Sequence, residues 1–259
     1  MPCLEVNREF ILGVRERKWK ATLTHRFVEL LRTKTIGTVQ QKGKLVRLYT
    51  QNIDGLEDQC EGIGHENRIA VHGSMDEAVC ASCDATMNFD VFCDKVRSQV
   101  KDISGKDTAA PERSTPIICN SCGAGTMKPS IVLFRSRLPE VFFQNVVEDI
   151  KDVDLLLIFG TSLSVAPANS IVHRIPRSTM RVLINREPAG RHLGLDYEFN
   201  DRDYFASGDC ESVVLDLMDK LGWLNDLLPL IDQNELPESS TILLRERLQQ
   251  KEKNNDNAS

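Results

Sequence analysis

No stretch of this 259-residue chain approaches the roughly 18 consecutive apolar residues of a membrane span, and the opening MPCLEVNREF lacks the basic end and apolar run of a secretory leader. An excess of basic charge is lacking too. The formal net charge is −6 and the sequence pI about 5.5, so no broad positive field exists to hold a phosphate backbone. Direct nucleic-acid binding and membrane partners are therefore not expected. Glycine is sparse at the start: the first fifty residues hold only Gly13, Gly37 and Gly43, too few for a phosphate-cradling loop. A disulfide framework is also missing. Of eight cysteines, four form two CxxC pairs and the others, Cys3, Cys60, Cys93 and Cys210, are scattered, which suits the reducing nucleus or cytoplasm.

What is present starts with those pairs, Cys80 with Cys83 and Cys119 with Cys122. Each CxxC offers two thiolates from one tight turn, and two such turns close a tetrahedral structural zinc site with no position open to water. Gly123 and Gly125 suit the turn after the second pair. The alternative is four buried or redox-active cysteines without metal; the spacing favours zinc. The long spacer between the pairs implies an insertion, and its middle, residues 95–116, is charged, carries Gly105 and Pro111, and is expected to be a mobile loop.

Periodicity gives the rest of the architecture. Arg8 to Arg32 reads as helices, and KLVRLYT, IVLF, DLLLIF and MRVLIN read as strands. Val141 to Ile150, Ala168 to Arg174 and Ser212 to Leu221 read as helices, the last with an apolar face of Val213, Val214, Leu217 and Leu221. DLLLIF is continuously rather than alternately apolar, the mark of a parallel strand covered on both faces. Strand, helix, strand, helix predicts a doubly wound α/β sheet. One amphipathic segment follows at Ile242 to Leu248, and the closing KEKNNDNAS is too polar to fold.

Ligands of such sheets lie beyond the carboxyl ends of the strands. Three strand ends are unusually polar. Gly160, Thr161 and Ser162, with Ser164, offer close backbone approach and hydroxyls for a phosphate or ribose. Asn185 and Glu187 follow at a distance at which an acid binds a ribose hydroxyl. Gln51, Asn52 and Asp54 form the third end, and together the three point to a dinucleotide. His72, between Ile69–Val71 and Gly73, is a histidine with a possible chemical role, although position alone favours a hydrogen-bonded structural one. His25 and His173 fall in helical patterns, His65 and His192 in glycine-containing loops.

In order, TQNIDGLE, VHGS, CASC, CNSC, KPSIVLF, GTSLSVAP, INRE and SGDC resemble the sirtuin family, from about Thr22 to Leu221. The resemblance implies an NAD-dependent protein lysine deacetylase, acting on histones or other acetyl-lysine proteins. Its implied fold is a Rossmann-type doubly wound parallel sheet with a small zinc-ribbon and helical domain. On this basis Gln51 and Asn52 line the nicotinamide ribose, Asp54 holds the carboxamide, and His72 is the general base, with Asn52 beside it in the catalytic set. Gly160, Thr161 and Ser162 match phosphate and ribose contacts, Asn185, Arg186 and Glu187 the adenosine ribose strand, and Cys210 the adenine loop. Ile131, Val132, Leu133 and Phe134 match the segment along which an acetyl-lysine peptide adds as a strand. The implied division is a helical segment (1–50), cofactor and catalytic loops (51–76), the zinc module with its mobile insertion (77–128), the Rossmann domain (129–225) and a C-terminal helix with a disordered tail (226–259).

Two departures from the family pattern stand out. Arg135 and Ser136 replace a Gly-Glu pair after Phe134, which predicts a shift of peptide preference toward acidic flanks. The family's first strand, its Gly-Ala-Gly loop and its Pro-Asp-Phe-Arg stretch have no counterpart, which implies an N-terminally incomplete member with an incomplete sheet and weakened activity. A catalytically silent zinc-ribbon and Rossmann scaffold is the alternative; a dehydrogenase would leave the cysteine tetrad, TQNID and HGS without a role.

Overall fold

The computed structural model describes residues 2–34, 45–132, 138–151, 153–231 and 236–258. Leu133, Phe134, Arg135 and Ser136, expected beside a peptide cleft, lie outside the described residues. The elements run α1 (Pro2–Arg15), α2 (Leu23–Thr33), β1 (Leu48–Thr50), β2 (Arg68–Ala70), β3 (Gly73–Cys80), β4 (Thr86–Asn88), α3 (Phe89–Gln99) and β5 (Met127–Ile131). They continue with α4 (Glu140–Asp149), β6 (Leu155–Phe159), α5 (Ile171–Arg174), β7 (Met180–Asn185), β8 (Asp203–Ser207), α6 (Cys210–Lys220), α7 (Leu224–Leu227) and α8 (Glu238–Ala258). The chain forms two compact units, one of Met1–Trp19, Tyr49–Leu56 and Ala70–Pro139, the other of Lys20–Leu48, Glu57–Ile69 and Glu140–Ser259.

The first unit is an antiparallel sheet of order β4-β3-β5 with α3 and α1 packed beside it. Asn88 starts α3 by accepting the Asp90 and Val91 N–H groups on its side-chain oxygen, at 2.9 and 3.3 Å. Phe89, Phe92, Cys93 and Val96 then fall on one face and bury against Leu4, Ile11 and Leu12 of α1. Arg8 lies on the same α1 stripe and is 3 % exposed. Its guanidinium is satisfied by the last carbonyls of α3, Arg97 O at 3.2 Å and Val100 O at 2.9 Å, and by Asp107 at 2.6 Å. A cation at a helix C-terminus opposes the helix dipole favourably. Thus α1 joins the cysteine module, whereas the sequence reading grouped it with residues 20–50. The expected loop of 95–116 also differs: α3 continues to Gln99, and the remainder is tied down by Thr115 N–H to Gln99 O at 2.8 Å and by Asp102, which accepts the Ser104 and Asp107 N–H groups.

The second unit is built on a parallel sheet of order β6-β7-β8, with Phe159 opposite Ile184 and Asn185 opposite Ser207. Leu157 and Phe159 face a cluster made by α2, α6, α7 and α8, in which Phe27, Leu215, Leu224 and Leu227 are 1 % exposed or less. Leu156, Ile158 and Leu183 face the opposite way, onto Leu163, Val172 and Leu195. Both faces are therefore covered, which is why β6 reads as an unbroken apolar run. Each fully buried Phe or Leu contributes about 1.5 to 3 kcal/mol of transfer free energy. One polar anchor crosses this core: the Arg181 guanidinium binds the Asp203 carboxylate of the neighbouring strand, with side chains 5 % and 0 % exposed.

Several boundaries depart from expectation. Among the described residues of KLVRLYT only β1 is regular, the strand that includes Ile131 starts earlier, at Met127, and Ala168–Ser170 is a tight helical turn before the four-residue α5. The buried residues of α6 are Val214, Leu215 and Met218; Leu221 is 47 % exposed. The closing segment read as too polar to fold is helical through Ala258. Lys251 on α8 bonds Asp219 of α6 at 2.6 Å, and Arg247 pairs with Asp216, so ion pairs replace apolar burial there. Among the described residues no helix is long and apolar enough to cross a membrane.

Candidate functional site

The cysteine pairs fold into two knuckles with the same bonds. Ser82 N–H points at Cys80 Sγ and Ser121 N–H at Cys119 Sγ, both at 3.4 Å. Asp84 N–H bonds Cys80 O at 3.0 Å and Gly123 N–H bonds Cys119 O at 2.9 Å. Both turns need a left-handed residue there, φ +57° at Asp84 and +72° at Gly123, which accounts for the glycine and for an aspartate that tolerates the region. The four sulfurs lie within 4.8 Å of one another, with Cys80 to Cys122 at 3.6 Å and Cys83 to Cys119 at 3.8 Å. Zn–S bonds of about 2.3 Å in a tetrahedron require S···S separations of roughly 3.8 Å. The donor set therefore fits a structural zinc ion. The Thr126 hydroxyl beside Cys80 holds its thiol down at about 6, and backbone N–H groups of Cys122 and Ser121 lower Cys119, both changes toward the thiolate that a metal needs.

Still in the first unit, the chain after β1 bends through Gln51–Asp54. Asn52 N–H bonds Thr50 Oγ1 at 3.2 Å, and Asp54 Oδ1 accepts Leu56 N–H at 3.2 Å ahead of Gly55 at φ +68°. Val71 N–H bonds Thr50 O at 2.9 Å, which sets His72 beside this bend. His72 Nδ1 lies 3.0 Å from Gln51 O. A carbonyl only accepts, so Nδ1 carries the proton and Nε2 is left as the basic nitrogen. The backbone of His72 is fixed as well: its carbonyl accepts Val132 N–H at 2.8 Å. Gly73 follows at φ +74°, where a Cβ would stand 2.2 Å from Ser130 O, so only glycine allows β3 and β5 to approach this closely.

The second unit gathers the other strand ends. Its three strands are parallel and in register, so Gly160, Arg186 and Gly208 leave the sheet at one edge. Gly160, at φ +55°, donates to Ile184 O at 3.1 Å, and a Cβ on it would point at Cys210 Sγ, 3.7 Å away. Thr161 Oγ1 accepts Leu163 N–H at 3.1 Å, and the Ser162 and Ser164 hydroxyls are 2.7 Å apart. Asn185 Nδ2 donates to Glu187 O at 2.9 Å. Arg186 pairs with Asp209 at 3.0 Å, and Asp209 also caps α6 by accepting Glu211 N–H at 3.1 Å. Burial raises the Cys210 thiol above its ordinary range, away from the thiolate form.

These residues line two adjoining clefts that share Gly160, Asn185 and Arg186. One, of about 320 Å³, continues over Cys210 to Thr22 and Thr24. The other, of about 590 Å³, continues over Thr161, Ser162 and Glu187 to His192. Thus Gly160, Thr161, Ser162, Asn185, Arg186, Glu187 and Cys210 are brought together in one unit, and Gln51, Asn52, Asp54, His72, Ile131 and Val132 belong to the other. Thr22, Thr24 and Asp209 were missed as cleft residues. A threonine ahead of an amphipathic helix signals a helix start, but nothing local says what that helix end faces.

The profile described as Sir2 family matches residues 14–167. The chain belongs to the Sir2 family. It is 34 % identical over 225 residues to the NAD-dependent deacetylase sir2D of Dictyostelium discoideum, covering 86 % of this chain and 35 % of that protein. It is 34 % identical over 215 residues to the NAD-dependent protein deacetylase hst2 of Schizosaccharomyces pombe, covering 83 % and 56 %. With the NAD-dependent protein deacetylase sirtuin-1 of Rattus norvegicus it shares 35 % over 209 residues, covering 79 % and 32 %. This Sir2 family chain thus spans about a third to a half of the length of these curated relatives.

Proposed function

We propose that the protein is an NAD-dependent protein lysine deacetylase of the nucleus or cytoplasm, with histones or other acetyl-lysine proteins as substrates. One observation carries the reading: in a Sir2 family chain, the polar strand ends of a parallel sheet converge on a pair of clefts whose floor is a left-handed glycine. The fit to a dinucleotide rests on that floor. Gly160 lines both clefts in a left-handed conformation that favours glycine, and a Cβ there would meet Cys210 Sγ at 3.7 Å.

When bound, NAD supplies the ADP-ribose that accepts the acetyl group, with nicotinamide as leaving group. Gly160, Thr161 and Ser162 would hold its phosphates and ribose through N–H and hydroxyl groups, Asn185, Arg186 and Glu187 the adenosine ribose, and Cys210 the base. Gln51, Asn52 and Asp54 would orient the nicotinamide end. His72 acts as general base: its Nδ1–H is held by Gln51 O, so Nε2 can take the proton of a ribose hydroxyl. Ile131 and Val132 would present backbone to an extended acetyl-lysine peptide. The zinc ion, held by Cys80, Cys83, Cys119 and Cys122, would stabilise the module without touching substrate.

The test is release of nicotinamide from NAD in the presence of an acetyl-lysine peptide. Wild type should release it only with the peptide, and His72→Ala should form O-acetyl-ADP-ribose about 10²- to 10⁴-fold more slowly with NAD affinity unchanged. Peptide-independent turnover, or a variant as fast as wild type, would overturn the assignment.

A further inference from the structure

The two cysteine knuckles match in their backbone bonds and differ in one side chain. Thr126 stands just ahead of β5, where Cys80 pairs with Met127, and its carbonyl accepts Ala81 N–H at 3.1 Å. Its backbone is thereby fixed beside the first knuckle. Thr126 Oγ1 lies 3.2 Å from Cys80 Sγ and 2.9 Å from Ser82 Oγ. Cys119 Sγ, in the second knuckle, takes backbone N–H groups from Ser121 and Cys122 and, among the described residues, no hydrogen bond from a side-chain hydroxyl. The direction of the first set follows from chemistry. A cysteine bound to zinc is a thiolate, which only accepts, and an oxygen lone pair turned toward it would be repelled. Thr126 has one O–H, so it donates to Cys80 Sγ, and the Ser82 O–H is left to donate to Thr126 Oγ1. Two hydroxyls thus run in one direction and end on a metal ligand, each polarising the next.

Resting on the zinc reading above, we infer that Thr126 is a positioning residue for the metal: its hydroxyl, turned by Ser82, holds Cys80 in place as a ligand and slows the loss of zinc from the module. Four thiolates on one zinc ion leave a surplus of negative charge, and each donor aimed at a sulfur offsets part of it. Cys80 receives the Ser82 N–H at 3.4 Å as well as the Thr126 hydroxyl, and it is 0 % exposed, whereas Cys83 and Cys122 are open to solvent. A competing chelator therefore meets Cys83 and Cys122 first. The grip of the buried sulfurs then decides whether the opened site closes again or empties, and Cys80 is the one that a side chain reinforces.

The experiment loads the full chain, as wild type, Thr126→Val, Thr126→Ser and Ser82→Ala, with zinc or with cobalt(II), whose sulfur-to-metal charge-transfer absorption reports on the ligand sulfurs. Zinc affinity and release rate come from competition with a chromophoric chelator. Thr126→Val should weaken zinc about tenfold, the lower end of the effect of losing an outer-shell partner, because Thr126 is itself exposed. It should also move the cobalt absorption to longer wavelength, since a sulfur without its donor gives up charge more readily. Thr126→Ser keeps the hydroxyl and should restore both readings, and Ser82→Ala should move both in the direction of Thr126→Val by less. A side chain of purely structural value would change the melting temperature of the loaded protein and leave the absorption where it was. Zinc affinity within twofold of wild type in Thr126→Val, an unmoved absorption, or no recovery in Thr126→Ser overturns the role of Thr126 while leaving the zinc site standing. Wild type that takes up neither metal overturns both.

Discussion

Removing the Asp203 carboxylate should destabilise the parallel sheet where β7 pairs with β8. The carboxylate accepts from Arg181 Nε and Nη2, from Asp196 N–H at 2.9 Å and from Asn200 Nδ2 at 3.2 Å. Arg181 spends its other donors on Val172 O at 3.0 Å and Gly194 O at 2.8 Å, so the pair joins β7, β8, α5 and the loop between the strands. In Asp203→Ala the guanidinium stays buried without its counter-ion, a loss of about 3 to 5 kcal/mol. Typical total stability is about 5 to 15 kcal/mol, so the variant should be marginal. At a urea m-value of about 3 kcal/mol/M the unfolding midpoint should fall by roughly 1 to 2 M. Trp223 belongs to this unit and Trp19 to the other, so its emission in a Trp19→Phe background reports the transition. Burial pushes the Asp203 pKa up, but hydrogen bonds from Arg181 and Asp196 outweigh it, and the net shift is downward. A carboxylate whose folded pKa is lowered contributes stability above its unfolded value, about 3.9, and loses it as pH falls through the folded one. The gap between wild type and variant should therefore be full at neutral pH and close below about pH 4. Replacing both partners, Arg181→Met with Asp203→Leu, should recover most of the loss, as buried ion pairs exchanged for apolar residues often do. A cost under about 1 kcal/mol for Asp203→Ala, or a gap that ignores pH, would refute the argument.

Zinc should copurify at one ion per chain, and a chelator or Cys122→Ser should release it and melt the β4-β3-β5 module, seen as lost protease resistance of residues 77–128. Unchanged resistance in the metal-free protein would mean that hydrophobic packing alone holds the knuckles. Gly73→Ala forces a left-handed backbone costing about 1 to 2 kcal/mol, plus a collision with Ser130 O; it should lower both melting temperature and deacetylation. Burial pushes the Cys60 and Cys93 thiols to about 12, so a thiol reagent at pH 8 should leave both unlabelled until the protein is unfolded, whereas exposed Cys3 reacts at once.

What could be read from the sequence depended on whether the deciding contacts were local. The knuckles were legible because the bonds that turn each one, from Ser82 and Asp84 to Cys80 and from Ser121 and Gly123 to Cys119, lie within four residues of its first cysteine. β6 was legible because coverage of both sheet faces leaves an unbroken apolar run, LLLIF. β8 was not: it opens with Asp203, which reads as a surface residue until Arg181 is placed beside it. On α6, apolar side chains at 213, 214, 215, 217, 218 and 221 offer two overlapping stripes, and only the positions of α2 and α8 select Val214, Leu215 and Met218 for burial. The same reason hid the far end of α8, whose helix is tied by Lys251 to an acid more than thirty positions earlier. The candidate site divides along this line too. Residues that present themselves from a strand end, such as Gly160 and Asn185, were visible as polar breaks in apolar runs. Thr22 and Thr24 were not, because Gly160 and Asn185, with which they line a cleft, lie more than a hundred residues further along the chain.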